Sequence, residues 1–448
     1  MPPRTATTVA LPAIALFLCA VLSWATPSKG ASEQPAEMPF AGIDRRALAA
    51  PPSETVSVEC LVSYLTNGAK SDTEKARAIF RWITANIAFD ASAMRTTDPL
   101  KVDVERILRE KRTVCMGYSE IFYILGRAAG LEVERIQGFA KGYPGDDNAC
   151  DGAPCHEWNA VKLDGSWALL DCTWAAGRFE NGGTFVKQYD EFYFLTPPER
   201  FVLDHFPLDP DWQLLPKAVS CAEYASLAHL RSAFFRYGLE LDSHRFFSLS
   251  TTEPITITIR APKDILILAQ LTRDGEEVTR GYTFGERKGD RFAITAAFPC
   301  PGNYRLRLFA GREDSSDRCD WVAEYAIAVP SLSKPAHRFP ECHKAYLRRD
   351  AVVISPRCGH LEPGSRELFS VCVPGAKIVA VIAGEKWSYL ERNGDVFEGA
   401  VHVTGEPMQV CANFGNSREY EVLLAYNDAP TVESSVAGTK QETASPKP

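Results

Sequence analysis

The sequence predicts an α+β domain over residues 53–217, followed by two all-β sandwich modules over 218–330 and 331–427. Three observations carry this expectation. Apolar residues recur at helical spacing up to about residue 128. From Glu132 the pattern changes to short strand-like runs separated by turn residues. A series of β runs beyond residue 250 is then echoed about 110 residues later.

Taken in order, the chain opens with a single charge, Arg4, ahead of the apolar run Val9 to Ala25. That run is shorter than the roughly 20 residues needed to span a bilayer, and Pro12 weakens it as a helix. Ser23 and Ala25 supply a small-x-small cleavage site, so residues 1–25 are expected to be a secretory signal peptide. This predicts a secreted, periplasmic or extracellular protein, attached to a membrane only if the segment stays uncleaved. Residues 26–52, rich in Pro, Ala, Ser and Gly, are expected to be a linker.

Helical patterning begins at Glu54–Leu65. Ser71 and Glu74 then stand at capping-box spacing ahead of Ala78, Ile79, Trp82, Ile83 and Ile87 on one apolar face. A short amphipathic piece, Val102–Arg109, leads to a helix that begins just after Cys115, carries Ile121, Leu125 and Ala128 at helical spacing, and stops at Gly130. The strands that follow include a hairpin about Asp164-Gly165.

A helical bridge is expected at about Cys221–Tyr237, and the chain beyond it reads as β. APKDILILA (261–269) resembles VPGAKIVAVIA (373–383), and GDRFAITAAF (289–298) resembles GDVFEGAVHV (394–403), as two related sandwich modules would. Residues 428–448 are polar and patternless, and are expected to be a disordered tail.

Composition narrows the class of function. The 448 residues are 45% hydrophobic and 24% charged, which is globular composition, and a net charge of −8 leaves no polycationic footprint for nucleic acid. The chemistry sits instead in Cys115, His156 and Asp171. A thiol at a helix start meets unpaired backbone N–H groups and the positive end of the macrodipole, which favour the nucleophilic thiolate. If Asp164-Gly165 is a two-residue turn, Leu163 faces Ser166 and Trp158 faces Asp171. His156 then lies diagonal to Asp171 on the same face, within reach for a carboxylate to hold an imidazole tautomer. A one-residue slip would destroy that relation.

The segments VCMGYSEIFYILGRAAGLEV, HEWNAVKLDGSWALLDCTWAAG and EFYFLTPPERFVLDHFPLDPDWQLL, with KARAIFRWITANIAFD upstream, resemble the transglutaminase-like superfamily, in particular its kyphoscoliosis-peptidase and hillarin branch. The resemblance covers residues 72–217 well and the later modules more loosely. It implies a papain-related thiol fold, with Cys115 as nucleophile, His156 as general base and acid, and Asp171 orienting His156. One oxyanion donor would be the Cys115 backbone N–H; the side chain completing the hole is not identified.

Other residues have plainer expectations. Trp82 is expected in the core, Trp158 and Trp174 either wall the cleft or pack the sheet, and Glu157, on the opposite strand parity, should face solvent. His205, in the HFP turn, is read as a structural corner. Of 13 cysteines, Cys300–Cys319, Cys342–Cys358, Cys372–Cys411 and Cys150–Cys155 are expected pairs by neighbourhood, with Cys342, His343, Cys358 and His360 as the competing zinc set. No cofactor and no metal are assigned.

Two functions follow. One is a secreted thiol enzyme acting on amide or peptide bonds of a protein or peptide substrate, as protease, deamidase or crosslinking transferase according to whether water or an amine accepts the acyl group. The other is a non-catalytic protein-binding scaffold built on the same fold and the immunoglobulin-like β modules.

Overall fold

Side-chain caps start several helices of the first domain. In the computed structural model, which describes residues 40–93, 102–141, 150, 152–180, 184–313, 319–334, 336–415 and 419–427, the first helices are α1 (Ala41–Leu48), α2 (Val58–Thr66) and α3 (Asp72–Asn86). The expected signal peptide, the greater part of the expected linker and the tail 428–448 lie outside those residues. The Ser57 hydroxyl accepts the Cys60 N–H at 3.3 Å to begin α2, and the Ser71 hydroxyl accepts that of Glu74 at 3.2 Å to begin α3. The Glu74 carboxylate reaches back to the Lys70 N–H at 2.6 Å, one residue before the cap, so the box closes around a slightly longer turn than the spacing predicts.

The expected linker is shorter than residues 26–52, because α1 occupies part of it. A tertiary charge contact holds this helix: Asp44 faces the buried Arg77 of α3. Then come α4 (Val104–Glu110), capped by Asp103, and α5 (Cys115–Ala128). Past the end of α5, Gly130 turns to φ 83° and Leu131 N–H donates back to the Gly126 carbonyl at 2.9 Å, the stop foreseen from the sequence.

A five-stranded antiparallel sheet packs with these helices. Its strands are β1 (Glu132–Ala140), β2 (His156–Leu163), β3 (Ser166–Leu170), β4 (Phe194–Thr196) and β5 (His205–Pro207), in the order β4-β3-β2-β1-β5. Between β3 and β4 runs the short helix α6 (Cys172–Ala176). The chain from Gly42 onward forms one compact unit.

The expected helical bridge is broken. Cys221–Ser226 and Ser232–Arg236 are helical, but His229–Leu230 between them pairs with Asp320–Val329 as a strand. The remainder is β-rich. One sheet runs His229–Leu230, Asp320–Val329, Gly302–Arg312, Ile265–Arg273, Glu276–Glu277, and faces a second of Glu240–Leu241, Ile255–Arg260, Arg291–Ala296, Thr283–Lys288. Farther along, Glu341–Cys342, Glu421–Tyr426, Met408–Asn413, Ile378–Ala383, Lys386–Tyr389 make one sheet and Val352–Ser355, Arg366–Cys372, Val396–His402, Glu391–Asn393 another. The inward residues of these sheets, among them Ile257, Phe292, Leu306, Tyr325, Phe369, Val381 and Leu424, form a continuous buried core.

Candidate active site

The hairpin between β2 and β3 sets the geometry. Asp164 and Gly165 take φ of 49° and 82°, the doubly left-handed corner that suits the twist of two antiparallel strands. Leu163 faces Ser166 and the ladder runs in step to Asn159 facing Leu170, as expected. One step farther, His156 Nε2 lies 2.7 Å from Asp171 Oδ2, with both side chains buried.

Asp171 does more than end a strand. Its Oδ1 accepts the backbone N–H groups of Thr173 at 2.6 Å and Trp174 at 3.1 Å, so the same carboxylate caps α6. Its own N–H donates to the Tyr193 carbonyl at 3.0 Å. Burial opposes its ionisation, but the imidazoles of His156 and His205 outweigh this and hold the carboxyl well below the usual range.

The second imidazole was hidden from the sequence argument. The HFP segment is strand β5, and it places His205 Nε2 3.0 Å from Asp171 Oδ2 and His205 Nδ1 2.6 Å from Asp204 Oδ1. Asp204 Oδ2 in turn accepts the Tyr193 hydroxyl at 3.0 Å. His205 is thus part of the site rather than a structural corner alone. The available signal was Asp204-His205 itself, a charged pair beside an apolar turn. Burial works against the proton on His205, yet Asp204 and Asp171 together raise its pKa.

Aromatic rings box the two imidazoles. Trp174 lies 5.5 Å from His156 and 4.6 Å from His205 between ring centroids, Trp158 lies 6.0 and 5.0 Å from them, and Phe201 stacks on His205 at 4.1 Å. Water is excluded, which strengthens each charged hydrogen bond.

Cys115 is the first residue of α5, half-buried, with no side-chain cap from Val114. One turn on, the Ser119 hydroxyl donates to the Trp158 carbonyl at 3.3 Å, and Asn159 Nδ2 donates to the Ser119 carbonyl at 3.1 Å. Tyr118, whose hydroxyl donates to the Ile87 carbonyl at 2.7 Å, has its phenol pKa raised by burial and by the charges of Cys172 and Asp171. The helix bearing Cys115 is therefore bolted to the strand bearing His156. Among the described residues, His156 and Asp171 meet directly, while the Cys115 sulfur is hydrogen-bonded to neither.

Several plainer expectations change. Glu157 is 3% exposed rather than solvated, because Asn159 ties β2 to α5 on one side and Trp158 packs on Phe201 on the other; Glu157 accepts from Gln137 at 3.2 Å. Trp82 is in the core as expected, with Lys111 Nζ 4.4 Å above its ring. None of the four neighbourhood disulfides forms. Cys150 pairs with Cys221, 71 residues away, and Cys155, Cys300, Cys319, Cys342, Cys358, Cys372 and Cys411 are unpaired. Pairing follows spatial approach, which brings the loop ahead of β2 to the start of the bridge. The competing zinc set does not assemble either: Cys342 Sγ faces the Gly285 carbonyl at 3.8 Å, and Cys358 Sγ faces that of His360 at 3.0 Å. His156, Asp171 and His205 do present donor atoms within 4.8 Å of one another, close enough for a metal ion. Each of those atoms is already engaged in the hydrogen-bond chain, which accounts for the set by itself.

Residues 60–172, which contain Cys115, His156 and Asp171, match the family model described as the transglutaminase-like superfamily, and residues 221–340 match a KY-like, immunoglobulin-like domain. Kyphoscoliosis peptidase of Mus musculus is 30% identical over 311 residues, covering 63% of this chain and 46% of its own length. The Homo sapiens protein of the same name is 32% identical over 271 residues (60% and 40%), and hillarin of Drosophila melanogaster is 29% identical over 333 residues (68% and 39%). The chain spans less than half the length of these relatives. An imidazole–carboxylate pair on an antiparallel hairpin, a cysteine at the start of the preceding helix and these matches together place residues 60–172 in the transglutaminase-like superfamily, in a chain similar to kyphoscoliosis peptidase and hillarin.

Proposed function

We propose that this chain is a thiol enzyme acting on amide or peptide bonds of a protein substrate, with Cys115 as nucleophile, His156 as general base and acid, and Asp171 as the group orienting His156. The observation that carries the reading is the buried 2.7 Å bond between His156 Nε2 and Asp171 Oδ2. An ionised carboxylate only accepts, so Nε2 keeps its proton and Nδ1 is the nitrogen suited to take the thiol proton. Cys115 would attack the carbonyl, His156 would protonate the leaving amine, and a thioester would remain. Water then completes hydrolysis, and a lysine amine completes a crosslink. Two of the related proteins carry the name peptidase, which favours water.

The test is alkylation of the native protein by iodoacetamide, located by peptide mass. Cys115 should label fastest near neutral pH, and His156→Ala should remove that advantage. Labelling of Cys115 no faster than the other unpaired thiols overturns the reading. Incubation with a protein substrate and a labelled primary amine separates hydrolysis from transfer.

The β-rich region, in our proposal, holds two related immunoglobulin-like modules. Strand order supports this. Each pair of sheets repeats the same sequence of neighbours, and each has a short helix, Ser232–Arg236 or Lys344–Arg348, between its first two strands. A second reading, the non-catalytic scaffold, is favoured by Trp387, 41% exposed, and Tyr389, 63% exposed, on the edge strand Lys386–Tyr389, with Tyr420 beside them and ring centroids 4.9–6.1 Å apart. It would be preferred if Cys115→Ala left the biological role intact while deletion of 341–427 abolished it. We further propose export, for which the run Val9 to Ala25 and the Cys150–Cys221 disulfide are the support.

A further inference from the structure

We propose that His205 is a positioning residue, held doubly protonated between Asp171 and Asp204, whose fixed positive charge limits the basicity of His156. This rests on the thiol-enzyme reading of His156 and Asp171, which it deepens.

The geometry dictates the protonation state. Both ring nitrogens of His205 face carboxylate oxygens, Nε2 toward Asp171 at 3.0 Å and Nδ1 toward Asp204 at 2.6 Å. A carboxylate oxygen has only lone pairs to offer, so both nitrogens must donate and the ring is an imidazolium. His156 shares the same Oδ2 atom. An Asp171 opposed by nothing else would stabilise the His156 imidazolium strongly. That would make His156 slow to surrender a proton to a leaving amine. With His205 charged, the two carboxylates are half balanced before His156 takes any proton.

Among the described residues no second cation makes an ion pair with both carboxylates. The titratable groups about the chain are Tyr193, whose hydroxyl is on Asp204; Cys172 and Tyr118, which face Asp171 and are pushed toward their neutral forms by burial and by its charge; and Arg231, half-buried, whose own pKa falls through desolvation although Tyr193, Asp204 and Glu324 oppose this. Lys141 Nζ donates to the Tyr224 and Leu227 carbonyls. His205 is the cation in direct contact with Asp171 and Asp204 alike.

The ring centroids of His156 and His205 are 5.4 Å apart. At that separation a unit charge in a protein interior shifts a neighbour by on the order of one to two pH units. Neutralising His205 should therefore raise the His156 midpoint, since the imidazolium then faces more uncompensated negative charge.

The test is NMR titration of the His156 ring in the full chain, which does not depend on Cys115 reacting. Asp204→Asn turns an amide donor toward His205 Nδ1 and removes the need for a second proton while leaving Nε2–H on Asp171. His205→Gln retains an amide for Asp171 without the charge. In His205→Gln the His156 midpoint should rise by about one to two pH units; in Asp204→Asn, which removes the more distant carboxylate charge together with that of the nearer imidazolium, it should rise by less. A rise in Asp204→Asn suffices if His205→Gln fails to fold. An unchanged midpoint in a folded variant overturns the proposal and leaves His205 a packing residue. Alkylation of Cys115 in the unmodified protein tests the underlying reading separately: a sluggish thiol with a shifted His156 would sink the enzyme and keep the charge relation.

Discussion

Arg77 grips Asp44 through two parallel N–H···O bonds of 2.7 Å and turns its remaining edge to Glu191 at 2.5 and 2.7 Å. One buried guanidinium thus joins α1, α3 and the turn that delivers Tyr193, whose carbonyl holds the Asp171 N–H. Arg77→Met should cost about 1–3 kcal/mol, because the largely covered Asp44 and the half-exposed Glu191 both lose a planar partner. Urea unfolding measures this. Arg77→Lys should restore only part of the loss, since an ammonium cannot make the paired contact.

Asp171 has separable duties, one oxygen on α6 and one on the imidazoles. Asp171→Asn should keep much of the cap but remove the charge facing the buried His205 imidazolium, costing about 3 kcal/mol, while Cys115 labelling slows at least tenfold. Asp171→Ala should lose both, with a further cap penalty of about 1–2 kcal/mol. Equal stability of the two variants would show that the cap bonds contribute little.

Gly138 faces His156 across the β1–β2 ladder, and a methyl group there would stand 2.2 Å from the Phe206 carbonyl oxygen and 2.5 Å from Trp158 Cη2. Gly138→Ala should destabilise by about 2 kcal/mol through overpacking. It should also displace the Trp158 ring, seen as a change in intrinsic fluorescence.

His229, stacked on Phe247 at 3.9 Å, is pushed down to about 3 by burial, with Lys141, Arg231 and Arg305 adding repulsion. The unfolded chain takes up this proton near pH 6.5 and the folded chain does not. Stability should therefore decline as pH falls from about 6.5 toward 3. In His229→Gln that decline should be shallower, as thermal melts across this range will record.

The Cys150–Cys221 bond closes a long loop that contains the whole hairpin of the site. Paired Ser substitutions should lower stability by up to about 4 kcal/mol on chain-entropy grounds. The same loss should appear on adding reductant to the parent protein.

What the residue pattern disclosed, and what it hid, divides by range. The hairpin register was legible because turn chemistry acts over two residues: Asp164 and Gly165 accept left-handed angles, and strand alternation then carries the phase to His156 and Asp171. The Ser71 cap was legible for the same local reason. His205 was not, since its meeting with Asp171 needs β5 to pair along the far side of β1, a choice made by the whole sheet. Glu157 was misjudged because parity tells which side a residue faces, not whether that side is covered. The disulfide was misjudged because half-cystines near in sequence need not be near in space.

The two-residue corner at Asp164-Gly165 has an evolutionary corollary. Side chains along β2 and β3 can be exchanged one at a time, but the count of residues separating His156 from Asp171 cannot drift by one without carrying the carboxylate to the reverse side of the ribbon. Insertions and deletions in this stretch should thus survive only in even numbers, or beyond the ladder altogether, and the distance of fifteen positions between imidazole and acid becomes a quantity under selection in its own right.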